Sequence, residues 1–380
     1  MNRPHLHVCI ATGQNLANLI PAIQLQAKEV VILETPEMRA SAENLKAALK
    51  ARDIAVRRMP FDDATPESIV ASAQKVGLEL GVAPLVLNAT GGHKLMTLAL
   101  TAEMEDLAGD NLQLLYCETR SDRLDWLKPS PVTEPMDDVL KIEDILLAQG
   151  YRIRGRGDRD VRWAADAQAR ESLTRRLGDE ADKLARFFGL LNDLANKALN
   201  EPDGPFRPKQ EMPFTPGGRN AEFLREAQRL GLMHWDEDTL IVFTSPDAAR
   251  YFRGGWLEEY AWIKLRGLRP TDWATNLEVE TVGDKTPNEL DAVVAHRNRL
   301  LVIECKTRRF GANAAKDADY VYKLAQLARQ IGGLMGRGLL LSARPVSNEI
   351  RQRAKESQVD LLAAEEVGNL VEYLKSWLSK

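Results

Sequence analysis

The sequence has few residues of the kinds that form disulfides or zinc sites. It contains three cysteines and five histidines in 380 residues, with no CxxC pair and no histidine cluster. An odd number of widely spaced cysteines argues against a disulfide framework and against structural zinc. The scattered histidines argue against a histidine-rich metal site.

Long apolar runs and an excess of positive charge are lacking as well. The N-terminal segment MNRPHLHVCIATG has no apolar run of signal-peptide length, and no stretch approaches the roughly 20 apolar residues that span a bilayer. We therefore expect a cytoplasmic protein with no membrane partner. The net charge of −4 counts against a protein that coats nucleic acid non-specifically, but not against one that binds it in a local groove.

Positive charge is concentrated in two short segments. Residues 152–162 hold five arginines, and Lys306, Arg308 and Arg309 follow within 305–309. Each segment is either a solvated loop or the flank of a groove for a nucleic-acid backbone.

The first 145 residues alternate short apolar strands with amphipathic helices, which is typical of a parallel, doubly wound α/β sheet. We predict an N-terminal Rossmann-like domain over residues 1–145. Its strands are expected at 7–11, 30–34, 54–59, 85–89 and 114–118.

The rest of the chain divides into a connector and a second α/β domain. After an exit linker near residue 130, residues 146–249 predict long helices followed by a helix and a hairpin, which resembles a winged helix. Residues 250–380 predict a helix, three strands, a helix and a further strand. The fold class is therefore α/β with a small helical middle.

The chemistry is concentrated in the hairpin of this second domain, ELDAVVAHRNRLLVIECKT. A turn centred between Arg297 and Asn298 places Asp291 opposite Glu304. Lys306 shares a face with Glu304, because side chains alternate along a strand. Two neighbouring carboxylates suit Mg²⁺ or Mn²⁺, and a lysine beside them can act on a metal-activated water. The alternative is an ordinary cross-strand salt bridge.

A helix upstream, GGWLEEYAWIKL, offers a further acid. If Trp256, Tyr260 and Ile263 face the core, Glu259 lies beside this buried stripe and Glu258 is rotated away. We predict Glu259 as the third metal-side acid. The choice between Glu259 and Glu258, and a purely solvated role for either, stay open at this point.

This arrangement resembles the PD-(D/E)xK nuclease fold over residues 250–345. The resemblance implies that Asp291, Glu304 and Lys306 are catalytic, that Glu259 is the helical acid, and that Asp291, Glu304 and Glu259 bind Mn²⁺ or Mg²⁺. Leu290 stands where this family often has proline.

Two loops of the N-terminal domain could approach an anion. Thr12-Gly13-Gln14-Asn15 follows the first strand, and Thr90-Gly91-Gly92-His93-Lys94 joins the fourth strand to a helix. Glycines at a strand-to-helix turn let backbone N–H groups approach phosphate, and ligands of doubly wound sheets bind at the carboxyl ends of the strands. Plain tight turns are the alternative.

Together the two loops resemble those of the CARF domain, which senses cyclic oligoadenylates in type III CRISPR defence; His93 replaces a common small hydroxyl residue. Most of the chain resembles the Can2/Card1 group of ancillary effectors. This resemblance implies a homodimeric nuclease that cyclic tetra-adenylate activates and that cleaves or nicks DNA, and in some members single-stranded RNA, with Mn²⁺. The ligand would contact residues Thr12, Gly13, Gln14, Asn15, Thr90, Gly91, Gly92, His93 and Lys94.

Two rival interpretations remain. The first is a CARF regulator that binds DNA through the winged-helix-like segment and carries an inactive nuclease-like domain. The second is an ungated repair or restriction nuclease. The complete set of Asp291, Glu304 and Lys306 argues against the first, and the two glycine loops argue against the second.

Overall fold

The computed structural model describes residues 3–200, 204–283, 287–307 and 314–379, and the side chains from residue 318 onward in the last range. The basic residues Arg308 and Arg309, which the sequence places beside the groove, lie outside these residues. Within the described ranges no helix is both long enough and apolar enough to cross a membrane.

The N-terminal domain has a seven-stranded sheet in the order β3-β2-β1-β4-β5-β6-β7. Neighbouring strands from β3 to β5 are parallel, as predicted, and β6 and β7 add antiparallel strands at one edge. The bounds are β1 Leu6–Ile10, β2 Glu29–Glu34, β3 Ala55–Pro60, β4 Leu85–Asn88, β5 Leu112–Glu118, β6 Arg123–Lys128 and β7 Val132–Pro135.

Strand β7 lies in the segment that the sequence predicts as a linker, so that prediction is wrong. Its four residues are mostly exposed and end in proline, so they carry no apolar run. The neighbouring β6 does alternate, because Leu124 and Trp126 are buried between polar residues.

Five helices cover the faces of this sheet: α1 Leu16–Gln24, α2 Arg39–Lys50, α3 Pro66–Leu80, α4 Lys94–Ala108 and α5 Ile142–Ala148. Helix α3 shows how local sequence sets the bounds. Thr65 and Ser68 form a capping box, Pro66 occupies the first turn, and Gly81 ends the helix at a φ of +62°.

The C-terminal domain has a six-stranded sheet in the order β16-β15-β14-β13-β12-β8. The bounds are β8 Tyr151–Arg156, β12 Asp272–Thr281, β13 Asn288–His296, β14 Arg299–Lys306, β15 Gly336–Ser342 and β16 Val359–Ala363. The helices of this part are α11 Trp256–Arg266, α12 Ala314–Gly332, α13 Asn348–Glu356 and α14 Leu370–Ser379.

Strand β8 corrects the predicted domain boundary. The sequence predicts the arginine-rich segment as part of the connector, but its first residues, β8, pair antiparallel with β12 as the edge of this sheet. An edge strand needs little apolar surface, so its pattern of arginines with Ile153 and Gly155 gives no clear strand signal.

The middle of the chain packs into the same core as the C-terminal sheet. It contains α6 Val161–Ala169, α7 Glu171–Asp179, α8 Ala181–Leu199, β9 Lys209–Glu211, α9 Arg219–Arg229, β10 Met233–Trp235, β11 Leu240–Phe243 and α10 Pro246–Arg250. The predicted hairpin is confirmed as β10 and β11, and β9 completes a three-stranded sheet. Phe223 of α9 contacts Phe187, Phe188 and Phe252, in a buried cluster that also includes Ile303 of β14.

The two domains also share a core. Leu140 and Ile145 of the N-terminal part lie in one buried cluster with Val302 of β14 and Val321 of α12. Asn298, at the β13–β14 turn, is 2% exposed, and its side chain accepts hydrogen bonds from the backbone N–H groups of Val139 and Leu140 at 3.0 and 3.1 Å. The central hairpin is therefore fixed directly to the N-terminal domain.

Candidate functional site: a carboxylate and lysine cluster beside a polar cavity

The hairpin of β13 and β14 has the register that the sequence predicts. Its two-residue turn, Arg297 and Asn298, has φ values of +50° and +57°, as a type I′ turn requires. The ladder runs from the pair His296–Arg299 to the pair Ala292–Ile303. One further step in this register brings Asp291 beside Glu304.

Asp291 is held at the point where the ladder ends. Its Oδ2 accepts a hydrogen bond of 2.6 Å from the backbone N–H of Cys305, the residue between Glu304 and Lys306. Burial, and then the charge of Glu304, raise the pKa of the Asp291 carboxyl well above its usual range. The ionised form of Asp291 is therefore costly at this site unless a cation lies beside it.

Lys306 forms an ion pair with Glu304. Burial alone would lower the pKa of Lys306, but Glu304 and Asp291 outweigh it and hold the pKa above its ordinary value. Lys306 is thus a protonated donor at neutral pH, and its ammonium lies 5.7 Å from the centre of the Tyr320 ring on α12.

The structure corrects the choice between the two glutamates of α11. The carboxyl of Glu258 has its pKa raised by burial and by the charges of Asp291 and Glu289, so it is the glutamate that faces the cluster. Glu259 is 2% exposed and accepts hydrogen bonds from Arg170 Nε at 3.0 and 2.9 Å and from Thr174 Oγ1 at 3.4 Å. In this structure Glu259 is therefore paired with Arg170, and Glu258, rather than the predicted Glu259, is the acid next to the cluster.

The reason for this error lies in the burial of α11. The predicted stripe of Trp256, Tyr260 and Ile263 is buried, but Leu257 and Ala261 are buried as well. A helix that is apolar on most sides gives no direction from its pattern alone. The partner of Glu259, Arg170, is 89 positions away in sequence and could not be identified from the pattern.

A polar cavity of about 800 Å³ opens beside the cluster. Glu258, Glu289 and Lys306 line one side, and the connector supplies the other side through α6, α8 and α10. The cationic residues in its lining are Arg162, Arg170, Arg250, Arg253 and Lys306.

Only some of the arginines in residues 152–162 line this cavity. Arg162 lines it with a side chain that is 84% exposed. Arg156 is 11% exposed and pairs with Asp158 and Asp272, so it supports the sheet. Arg154 pairs with Glu280 on the neighbouring strand.

Two cavity residues were not identified from the sequence. The Asn192 amide on α8 donates to Thr307 Oγ1 at 3.1 Å and to the Arg253 carbonyl, and Thr307 Oγ1 donates to the same carbonyl at 3.0 Å. These bonds fasten the connector to the residue that follows Lys306. Asn276 on β12 lies between Thr275 and Leu277, whose partners Ala292 and Leu290 flank Asp291. It has a φ of +49°, and its buried Oδ1 has no hydrogen-bond partner among the described residues. Isolated asparagines gave no sequence signal for either role.

A divalent cation suits this donor set. Among the described residues, no three His, Cys, Asp or Glu side chains form a preassembled metal cluster. The carboxyls of Asp291 and Glu258 nevertheless have raised pKa values that burial and neighbouring carboxylates cause. A hard cation would neutralise that charge, and carboxylate oxygens are the ligands that Mg²⁺ and Mn²⁺ prefer.

The two glycine loops of the N-terminal domain meet at the carboxyl ends of β1 and β4. These strands are parallel neighbours, and the strand order reverses between them. A Cβ on Gly91 would lie 2.3 Å from the Ile10 carbonyl oxygen, so only glycine permits this approach. Gly92 has a φ of +78°. Thr12 is partly exposed, and Gly13, His93 and Lys94 are exposed beside these positions.

Three of the side chains predicted to contact the ligand form hydrogen bonds within the protein. The Asn15 amide is 1% exposed and donates to Ser41 O at 2.8 Å and Ala148 O at 3.0 Å. Thr90 Oγ1 donates to Asn88 Oδ1 at 2.6 Å and accepts from Cys117 N at 2.7 Å. The Oε1 atom of Gln14 accepts a hydrogen bond of 3.1 Å from Leu334 N of the C-terminal domain. Residue type alone cannot show whether an amide or hydroxyl faces a ligand or the protein.

Comparison with known proteins agrees with this architecture. Residues 245–380 match the family model of the Card1-like endonuclease domain. The resemblance predicted from the sequence is thus confirmed for the C-terminal domain. No curated protein matches the sequence.

Solved structures extend the similarity over the whole chain. Can2 from Sulfobacillus thermosulfidooxidans, solved in complex with cyclic tetra-adenylate, has 21% identity and a TM-score of 0.79 over 98% of this chain and 99% of its own. Protein VC1899 from Vibrio cholerae has 21% identity and a TM-score of 0.84, with 98% of both chains covered. A type III CRISPR defence DNA nuclease activated by cyclic oligoadenylate has 19% identity and a TM-score of 0.57, and this chain covers 52% of it. The predicted α/β fold class is confirmed.

Proposed function

We propose that the protein is a metal-dependent endonuclease of the PD-(D/E)xK type that cyclic tetra-adenylate activates in type III CRISPR defence. Its substrate is DNA, which it cleaves or nicks, with single-stranded RNA as a second candidate. The observation that carries the proposal is the convergence of Asp291, Glu304, Lys306 and Glu258 beside one polar cavity.

The residues of the cluster have separate roles in this proposal. Asp291, Glu304 and Glu258 hold Mn²⁺ or Mg²⁺, which supplies charge stabilisation and an activated water when bound. Lys306 orients the attacking water and donates to the phosphoryl oxygens as negative charge develops on them. Arg162, Arg250 and Arg253 of the cavity wall bind the nucleic-acid backbone, because guanidinium groups match phosphate geometry.

The activator would bind at the carboxyl ends of β1 and β4. The turn is crowded at Gly91, and the residues after it, Gly92, His93 and Lys94, are exposed. A phosphate there would meet backbone N–H groups of the turn and the cation of Lys94. Can2, which shares this fold, was solved with cyclic tetra-adenylate, and the similar nuclease is activated by a cyclic oligoadenylate. Both observations support this assignment.

A homodimer completes the proposal. The neighbouring helices α3 and α4 of the N-terminal domain expose large apolar side chains that a partner copy would cover. Leu78 is 79% exposed, Leu98 is 66% exposed and Leu95 is 54% exposed. Sedimentation of the protein, with and without the activator, measures directly whether it is a dimer.

The decisive experiment is cleavage of supercoiled plasmid with Mn²⁺, with and without cyclic tetra-adenylate, by the wild type, Glu304→Gln and Glu278→Gln. Glu278 is an exposed carboxylate on β12 of the same sheet and serves as the matched control. We expect cleavage only with the activator, its loss in Glu304→Gln and its retention in Glu278→Gln.

Two other outcomes contradict the proposal. Cleavage that is independent of the activator would favour an ungated nuclease. If neither plasmid nor labelled single-stranded DNA or RNA is cut, the nuclease assignment fails and a DNA-binding regulator becomes the better account.

A further inference from the structure

A second large cleft lies between the two domains. Its volume is about 1130 Å³. The N-terminal domain contributes Gln14, after β1, and Thr119, Arg120 and Asp122, after β5. The C-terminal domain contributes the start of β14, the segment between α12 and β15, and parts of α13, β16 and α14. The cleft therefore adjoins the strand ends that carry the proposed activator site.

This cleft is rich in positive charge. Five cationic side chains line it against two carboxylates, Asp122 and Asp360. Asp360 already accepts a hydrogen bond of 2.6 Å from the Tyr373 hydroxyl. The cations are Arg120, Arg299, Arg329, Arg337 and Lys355. An excess of like charge in a concave site attracts an anion, because the walls focus the field.

Arg299 indicates that part of this charge has no protein partner. Its Nε and Nη2 atoms are buried and have no hydrogen-bond partner among the described residues. Its guanidinium lies 5.6 Å from the centre of the Trp377 ring, which is 6% exposed. Buried N–H groups without an acceptor are costly, and phosphate oxygens would satisfy them.

The hydrogen bond between Gln14 Oε1 and Leu334 N crosses this cleft. Leu334 is 64% exposed, so the cleft also offers an apolar side chain next to its cations. Such a mixture suits a ligand that has phosphates and flat bases.

We propose that this cleft binds phosphates of the cyclic oligoadenylate, so that the C-terminal domain supplies part of the activator site. The inference rests on the proposed function. It adds that residues of the C-terminal domain also recognise the ligand. Arg299, at the first residue of β14, contacts the activator, and Lys306, at the last residue of the same strand, belongs to the catalytic cluster.

The test compares two double variants that each remove two exposed positive charges. Arg337→Gln with Lys355→Gln changes the cleft, and Lys50→Gln with Lys323→Gln changes exposed lysines outside it. Binding of cyclic tetra-adenylate is measured by calorimetry at two salt concentrations, and binding of a labelled 12-nucleotide single-stranded DNA by anisotropy. Thermal unfolding verifies that all proteins are folded.

We expect the cleft variant to bind cyclic tetra-adenylate about tenfold more weakly or worse, and with a smaller salt dependence, than the control variant. Its affinity for the DNA should match that of the control.

Each other result overturns the inference. Equal affinity of the two variants for cyclic tetra-adenylate would show that the cleft does not contact the activator. A loss confined to DNA binding would assign the cleft to the substrate strand. A wild-type protein that does not bind cyclic tetra-adenylate would refute the sensing part of the proposed function together with this inference, whereas the first two results leave that function intact.

Discussion

Strand β14 connects two charged regions of opposite character. At its end, Glu304 and Lys306 join Asp291 and Glu258 in a cluster of carboxylates, where burial first and the neighbouring carboxylates second raise the pKa values of Asp291 and Glu258. At its start, Arg299 lies in a cleft with four other cationic side chains and keeps buried N–H groups unpaired. Each region has a charge that a ligand of the opposite sign would neutralise: a divalent cation at one end and phosphates at the other.

The two adjacent glutamates of α11 differ in whether a protein cation neutralises them. Glu258 belongs to the unneutralised cluster, whereas Glu259 is neutralised by Arg170. Adjacent residues of one helix thus differ in whether their charge is available to a ligand. The predictions below test these contrasts.

The largest expected effect is that of Asp291→Asn on cleavage. An asparagine oxygen can still accept the hydrogen bond from Cys305 N, but it removes the charge that a metal needs, so we expect the cleavage rate to fall by about 10²–10⁴-fold. Because the ionised form of Asp291 destabilises the metal-free fold, the Tm of Asp291→Asn at pH 8 should equal or exceed that of the wild type. An active variant, or one that is unfolded at pH 8, would contradict this account.

The paired variants Glu258→Gln and Glu259→Gln distinguish ligand-facing from structural charge. Glu258→Gln should reduce cleavage by about 10²-fold without lowering Tm. Glu259→Gln should instead lower the free energy of unfolding by about 3–5 kcal/mol, because Arg170 would lose its buried partner. Urea unfolding and cleavage assays of both proteins measure the two effects. The reverse pattern would restore Glu259 as the metal ligand.

The stability of the metal-free protein should depend on pH through the same cluster. Folding raises the pKa of Asp291 and of Glu258, the latter from 4.5 to about 8, so between these values the folded state binds more protons than the unfolded state. This contribution to stability is present at low pH and is lost as pH rises through the window.

Thermal unfolding in EDTA from pH 5 to pH 8 should therefore show a decline that is smaller in Asp291→Asn. Mn²⁺ should reduce the decline in the wild type, since the cation favours the ionised carboxylates. Identical pH profiles of Tm for the two proteins would show that folding does not raise the pKa of Asp291.

A smaller effect is expected from Asn15→Ala in the N-terminal domain. The variant leaves the partly buried Ser41 carbonyl and the buried Ala148 carbonyl without their donor, so we expect about 1–3 kcal/mol less stability. The affinity of the folded protein for cyclic tetra-adenylate should stay within about threefold of the wild type. A normal unfolding curve with much weaker binding would return Asn15 to the ligand site.

The elements that were predictable are those whose signals are local. Alternating apolar strands gave β1 to β5, and the turn at Arg297 and Asn298 gave the register of the central hairpin. That register alone brings Asp291 beside Glu304, because pairing in a hairpin follows from the position of its turn.

The features that were missed depend on long-range contacts. Arg170 selects between Glu259 and Glu258 across 89 positions, and Thr307 meets Asn192 across 115. The cleft joins Gln14 to Leu334 across 320 positions. No local pattern encodes such pairs, and edge strands such as β7 and β8 lack the apolar face that reveals interior strands.

The most direct test of the central claim measures both ends of β14 in one experiment. Cyclic tetra-adenylate affinity and plasmid cleavage are determined for Glu304→Gln and for the double variant Arg337→Gln with Lys355→Gln. The account predicts that Glu304→Gln binds the activator as the wild type does and cuts nothing. It predicts that the double variant needs about tenfold more activator and then cleaves at the wild-type rate. Cleavage by Glu304→Gln, or unaltered activation of the double variant, would contradict it.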